Sequence, residues 1–143
     1  MNVRNFALIY GVAFAAVGVA GFIPAFVTPH AHELAVDQGS GDLFGLFPVN
    51  IVHNIVHLAF GAWGLAVYRN TGAAIGYARS VAIIYALLVI IGFIPGLSTL
   101  FGLVPLHGND IWLHALLAAG AAYFGFIQHG DPGPASGRAV RGA

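Results

Sequence analysis

The chain has 143 residues, of which 59% are hydrophobic and only 7% are charged, and its mean hydropathy is +0.86. Soluble domains carry about 25% charged residues, so this composition excludes an ordinary soluble globular protein. Five arginines, no lysine and a formal net charge of zero leave no basic surface for nucleic acid, and the absence of cysteine excludes disulfides and thiolate metal sites. We therefore expect a small integral membrane protein.

Four apolar stretches, uncharged apart from Asp110 at the start of the last, approach the roughly 20 residues that a helix needs to span a bilayer. In chain order they cover residues 6–27, 49–68, 80–100 and 110–127. The stretches predict an all-α fold, an integral membrane four-helix bundle within residues 1–129. Residues 130–143, rich in glycine, proline and small side chains, are expected to form a flexible tail.

The charges predict the orientation of this bundle. All five arginines fall on the side that holds both termini, whereas four of the five acidic residues fall on the other side; the arginines are Arg4, Arg69, Arg79, Arg138 and Arg141. Arginine is enriched in cytoplasmic segments, so both termini are expected in the cytoplasm. The sequence thus predicts a multi-pass protein of the bacterial inner membrane.

Two short motifs recur along the chain and indicate an internal repeat. The sequence Phe-Gly-Leu-Phe-Pro-Val at residues 44–49 is echoed by Phe-Gly-Leu-Val-Pro-Leu at 101–106, an offset of 57 that also relates His57 to His114. Gly-Phe-Ile-Pro occurs at residues 21–24 and again at 92–95. We interpret the chain as two tandem two-helix hairpins related by a pseudo-twofold axis along the membrane normal.

The second stretch carries one polar face of small and hydrogen-bonding residues. At 100° per residue this face contains Asn50, His53, Asn54, His57, Gly61 and Gly64. The offset of 57 relates Asn50, His53 and His57 to His107, Asp110 and His114. These two faces predict that the second and fourth helices meet near the axis, with the glycines allowing close approach.

Ionisable residues at membrane depth suggest a functional site. Two related histidines, His57 and His114, could supply both axial ligands to a b-type haem or another tetrapyrrole. Alternatively, five residues could bind a transition metal or form a proton or ion path: His53, His57, His107, Asp110 and His114. In that case His30, His32 and Glu33 would collect ions at the outer face.

The favoured interpretation is structural. Hydrogen-bonded residues such as Asn50 and Asn54 can hold membrane helices together, and no serine has a neighbouring base that would make it a nucleophile. The sequence therefore predicts a non-enzymatic accessory or scaffold subunit, which would contact lipid and either a larger membrane complex or further copies of itself. Ring nitrogens bonded to protein carbonyls would support this role, whereas nitrogens converging on a shared void would support a ligand.

The segment from Leu43 to Leu58, with its His-Asn-x-x-His core, resembles the bacterial membrane family called domain of unknown function 4383. Members of that family are similar in length, have four predicted spans and carry an Asn-x-x-x-His run in the fourth. The stretch from Asn109 to His114 is similar to that run, with Asp110 four residues before His114. The resemblance covers about residues 5–128. It supports the four-span topology and points to His53, Asn54, His57 and His114, but it implies no activity.

Overall fold

The computed structural model describes residues 1–30 and 34–128. Its main elements are four helices: α1 (Val3–Ala20), α2 (Ile51–Val67), α3 (Thr71–Gly92) and α4 (Asn109–Ala122), the last continuing as a π-helical turn over Tyr123–Ile127. Three of them, α1, α3 and α4 with its extension, are long and apolar enough to cross a membrane, while α2 has 17 residues. The expected tail lies outside the described residues.

Asparagine side chains begin three of the four helices. Asn2, Asn50 and Asn70 each accept a hydrogen bond from the backbone N–H three residues later, at 3.0, 2.8 and 2.9 Å. These bonds satisfy amides that have no partner inside a helix. Asn70 explains why α3 begins at Thr71 and not at residue 80.

Three predicted boundaries differ from the observed helices, and one of them is the end of α3, which lies at Gly92 and not at residue 100. Helix α1 ends at Ala20, before the expected limit at residue 27, and Pro24 begins a short 3-10 turn that leads the chain away. Helix α3 continues through Arg79, because the Nε of this arginine donates to the carbonyl of Gly125 at 2.8 Å. A charge at this position therefore lies within a helix and does not end it.

A small antiparallel sheet at one end of the bundle corrects the all-α prediction. It joins β1 (Val27–Pro29), β2 (Gly41–Leu43) and β3 (Phe47–Val49), with Leu43 paired to both Val27 and Phe47. Such short strands carry too little periodicity to be distinguished from loop in the sequence. We call this end of the molecule the sheet end and the opposite one, where Arg4, Arg69 and Arg79 lie, the arginine end.

The helices do not pair as the polar faces suggested. Helix α1 packs along α2, α3 packs along α4, and α3 also contacts both α1 and α2, whereas α2 and α4 meet mainly through side chains such as His53 and His114. A Cβ atom added to Gly61 would lie 2.6 Å from the nitrogen of Ala15, and one added to Gly64 would lie 2.8 Å from the oxygen of Ala7. The glycines of α2 therefore allow close approach of α1, not of α4.

Aromatic residues of α1 and α3 fill the centre of the bundle. Phe6, Phe14, Tyr77 and Tyr85 are all at most 3% exposed. The hydroxyl of Tyr77 donates to the carbonyl of Phe60 on α2, and that of Tyr10 donates to the carbonyl of Leu117 on α4, both at 3.2 Å. Lipid offers these hydroxyls no hydrogen-bond partner, so they bond to carbonyls of neighbouring helices, and these hydrogen bonds help to hold the helices together.

The close α1–α2 contact makes a testable prediction about glycine. Gly64→Ala should destabilise the protein by about 1–3 kcal/mol, since the added methyl group would overpack against Ala7 and Gly11. Gly76→Ala is the matched control, because nothing lies within 4 Å of its added Cβ, and alanine there should raise stability by about 0.5–1 kcal/mol. Reversible unfolding in detergent micelles measures both changes, and equal effects would contradict the packing.

Candidate metal-binding site

Three histidines from two helices meet in the interior near the sheet end. His53 and His57 lie on α2 and His114 lies on α4, and one potential ligand nitrogen from each lies within 4.8 Å of the other two. Their residues are only 4%, 5% and 3% exposed. The structure therefore brings together three of the five residues predicted as metal ligands.

The two histidines of α2 stand one helical turn apart. Their Nε2 atoms are 3.1 Å from each other, so neutral rings can share one hydrogen bond in which an N–H donates to the other nitrogen. Two imidazoles bound tetrahedrally to one Zn²⁺ have their nitrogens about 3.3 Å apart, given Zn–N bonds near 2.0–2.1 Å. The pair is thus already spaced for binding the same ion.

Asp110 lies beside the third histidine and outside the cluster of ligands. Its Oδ2 atom is 3.4 Å from Nδ1 of His114, one turn along α4, and Asp110 is 2% exposed. A carboxylate next to the distal ring nitrogen is the common support of metal-binding histidines, because it orients the ring and increases its basicity. The structure places Asp110 next to this ring nitrogen, although its Oδ2 atom has no hydrogen-bond partner in the described part of the chain.

Aromatic rings enclose the histidines on the side of α1 and α3. Phe14 packs against His57 with ring centroids 5.5 Å apart, and Tyr85 packs edge-on against His114 at 4.8 Å. Sequence analysis assigned neither aromatic residue to the site. The spacing of 71 between Phe14 and Tyr85, which is also the spacing of the two Gly-Phe-Ile-Pro motifs, is the signal that could have identified them.

A cavity of about 140 Å³ adjoins the cluster, and all three histidines line it. A smaller one of about 80 Å³ lies beneath the sheet, between Leu43 and Val49 on one side and His53, His57 and Asp110 on the other. Pockets for organic ligands measure about 300–1,000 Å³, so a tetrapyrrole does not fit between His57 and His114. The space suits an ion with small ligands such as water.

The remaining predicted residues lie apart from the cluster. His107 is half-buried before α4 and is not among the grouped histidines, and His30 is exposed near the sheet. Asn54 is buried next to Gly21. Of the expected outer collector, His32 and Glu33 lie outside the described residues.

Asn50 has a structural position beneath the cluster. Its Nδ2 donates to the carbonyls of Val36 at 2.9 Å and Leu103 at 2.8 Å, and its Oδ1 accepts from the backbone N–H of His53. One side chain thus joins two loops to the first turn of α2. It is completely buried.

Comparison with known proteins identifies one family. The model of the family described as Domain of unknown function (DUF4383) matches residues 4–127, which cover all four helices except the first residue of α1. This match confirms the resemblance seen in the sequence. No curated protein and no solved structure is significantly similar to the chain.

The three bonds of Asn50 predict an unusually large effect of substitution. Asn50→Ala should lower the free energy of unfolding by about 2–4 kcal/mol, since it removes a helix cap and leaves two carbonyls without their donor. Asn70→Ala, which removes only the exposed cap of α3, should cost about 1 kcal/mol. Chemical unfolding in detergent measures the difference, and similar losses for both variants would refute the bridging role.

Proposed function

The chain belongs to the DUF4383 family, and from that premise we propose that it is an integral membrane protein that binds a transition-metal ion through His53, His57 and His114. The observation that carries this proposal is the convergence of three buried ring nitrogens within 4.8 Å on a shared cavity. Converging nitrogens favour a ligand over a purely adhesive role for these rings.

Zn²⁺ is the first candidate for the bound ion. Three neutral imidazoles leave a fourth tetrahedral position, which would face the cavity of about 140 Å³. Imidazole also suits Cu²⁺ and Ni²⁺, but these ions prefer square-planar or tetragonal arrangements of nitrogen and oxygen ligands. The thioether and thiolate ligands that select Cu⁺ are missing from the cluster.

Asp110 offsets the charge that such an ion would bring. A divalent cation held by neutral rings adds two positive charges to an apolar interior, where an uncompensated charge is very costly. The carboxylate of Asp110 would supply one negative charge through its contact with His114 at 3.4 Å. The sequence places no other acidic residue on α2 or α4.

The two-hairpin repeat explains why the site forms between α2 and α4. Positive backbone φ angles recur at an offset of 57, at Gly39 and Gly96, at Phe44 and Phe101, and at Gly45 and Gly102. In each half, the side chain one turn before the second histidine position contacts that histidine: His53 contacts His57, and Asp110 contacts His114. In each half, an aromatic ring of the preceding helix also packs against this histidine, Phe14 against His57 and Tyr85 against His114. These parallels support a site at the axis between two related halves.

The setting of the site in the cell completes the proposal. Arg4, Arg69 and Arg79 all lie at the arginine end, and this placement supports a cytoplasmic location for that end under the positive-inside rule. The sheet end would then face the outside of a bacterial inner membrane. Association with a larger complex or with further copies of this chain stays a prediction. Among the polar residues, the hydrogen bonds of Asn50 support a structural role for Asn50 alone.

Metal analysis tests the proposed site. Wild-type protein incubated with Zn²⁺ and desalted in detergent should retain about one ion per chain, and His57→Ala and His114→Ala should each lose most of it, because two imidazoles bind Zn²⁺ far less tightly than three. Elemental analysis gives the content. Absorption at the zinc edge should report three nitrogen neighbours at about 2.0–2.1 Å.

His107→Ala is the matched control, since this histidine lies near α4 but outside the cluster. It should retain the full zinc content. Loss of zinc from the control, or retention in the His57→Ala, His114→Ala double variant, would overturn the proposal.

Asp110→Asn tests the supporting carboxylate separately. An amide keeps the shape but removes the negative charge, so Zn²⁺ affinity should fall about 10- to 100-fold while saturating zinc still gives one ion per chain. Competition with a chromophoric chelator measures the affinity. Unchanged affinity would show that Asp110 does not act on the site through His114.

A further inference from the structure

Two arginines contact one tyrosine at the arginine end of the molecule. Nε of Arg4, in the first turn of α1, donates to the carbonyl of Tyr68 at 3.3 Å, and Nε of Arg69 donates to the Tyr68 hydroxyl at 2.9 Å. The guanidinium carbon of Arg69 also lies 5.4 Å from the centre of the Tyr68 ring. Tyr68 thus holds two positive charges beside the end of α2, and we call Arg4 and Arg69 the arginine pair.

The arginine pair keeps most of its hydrogen-bonding capacity. Each of its bonds uses one of the five N–H groups of a guanidinium. Arg4 and Arg69 are both exposed, and neither forms an ion pair with a described residue. Arg79 differs, since its Nε donates to the carbonyl of Gly125 and its guanidinium lies 5.3 Å from the ring of Phe126. The pair therefore offers both charge and N–H donors to an external anion.

The acidic residues that the structure describes lie at the sheet end, away from the pair. Asp37 and Asp42 belong to the loop and sheet between α1 and α2, and Asp110 lies in the first turn of α4. Of the two acids outside the described residues, Glu33 and Asp131, the second follows the end of α4 in sequence. Asp131 is thus the acid of the chain that could compete with a ligand for the pair, and removing its charge is part of the test.

An open apolar groove of about 510 Å³ lies along α1 beside the same part of α2. It begins at Val12 and Leu65, passes the small side chain of Ala16, and continues to Ile23. Leu65 lies one helical turn before Arg69, so the groove begins close to the arginine pair. Every residue that lines the groove is apolar, so an extended hydrocarbon chain can lie in it.

We propose that the arginine pair and this groove together bind an anionic glycerophospholipid, an inference independent of the proposed metal site. The phosphate accepts charge-assisted hydrogen bonds from the two guanidiniums, and one acyl chain lies along α1 in the groove. The pair lies where the spanning helix α1 leaves the hydrocarbon core, which is the level of lipid headgroups. Free phosphate would use the arginines alone, so the adjoining groove favours a lipid.

Competition between two phospholipids tests this assignment. Full-length protein in a neutral detergent is titrated with dioleoyl phosphatidylglycerol or with dioleoyl phosphatidylcholine, and bound lipid is counted by native mass spectrometry. The two lipids share their acyl chains and the phosphate but differ in net charge. Each arginine near an anionic headgroup strengthens binding about fivefold, so the wild type should prefer phosphatidylglycerol by about 5- to 25-fold.

Charge variants locate the headgroup. The double variant Arg4→Gln, Arg69→Gln should bind both lipids about equally, and Arg69→Gln alone, which breaks only an exposed bond, should lose about fivefold of the preference. The double variant Arg138→Gln, Arg141→Gln is the matched control, because it removes the same charge from the tail. It should keep the preference of the wild type.

Groove variants locate the acyl chain. Ala16→Phe places a large ring in the groove and should weaken the binding of both lipids, with the preference for phosphatidylglycerol unchanged. Ala13→Phe is its control, because Ala13 is also an exposed residue of α1 but does not line the groove. It should bind both lipids like the wild type. Thermal unfolding in the same detergent shows that each variant is folded.

Five outcomes would overturn the lipid assignment. Equal binding of the two lipids by the wild type would exclude a charge-selective site, and an equal loss of preference in the tail control would indicate unspecific attraction. Equal effects of Ala16→Phe and Ala13→Phe would exclude the groove. Displacement of phosphatidylglycerol by millimolar inorganic phosphate would indicate a site for free anions. Binding about fivefold tighter in Asp131→Asn would show that a carboxylate of the tail occupies the pair.

Discussion

The architecture depends on the hydrogen bonds of one completely buried side chain, that of Asn50. It caps the first turn of α2 and bonds to carbonyls of both long loops, at Val36 and Leu103. In an interior without water, each of these backbone groups would otherwise be left unpaired. Because the bonded amide is that of His53 itself, the same interaction that closes the sheet end also sets the position of the first histidine.

Burying the polar rings of three histidines in an interior without water costs free energy, and the groups around these rings compensate for only part of that cost. The rings of Phe14 and Tyr85 pack against His57 and His114, but they offer the nitrogens no strong acceptor. His53 and His57 bond to each other, and Asp110 adds a carboxylate next to His114. A divalent cation would complete this arrangement, since it would bind the converging nitrogens while Asp110 balances part of its charge.

Several features could be predicted from the sequence because they depend on local composition. The apolar stretches identified four helices, and the i, i+4 spacing placed His53 and His57 on one face. Helix boundaries were less predictable, because Asn70 begins α3 before Arg79 and a long-range bond to Gly125 accommodates that arginine. The three-stranded sheet was missed, since pairs such as Leu43 with Val27 and Phe47 join short segments whose periodicity is too brief to recognise.

By itself, the sequence determined the class of the protein, its family and the residues of its polar faces. Hydropathy and spacing are properties of contiguous residues, so they are fixed before any tertiary contact forms. Only the tertiary structure decided that α2 packs on α1 through Gly61 and Gly64, that His107 lies outside the cluster, and that Phe14 and Tyr85 enclose it. Those outcomes depend on which small residues allow two backbones to approach, a relation between distant segments that no local pattern contains.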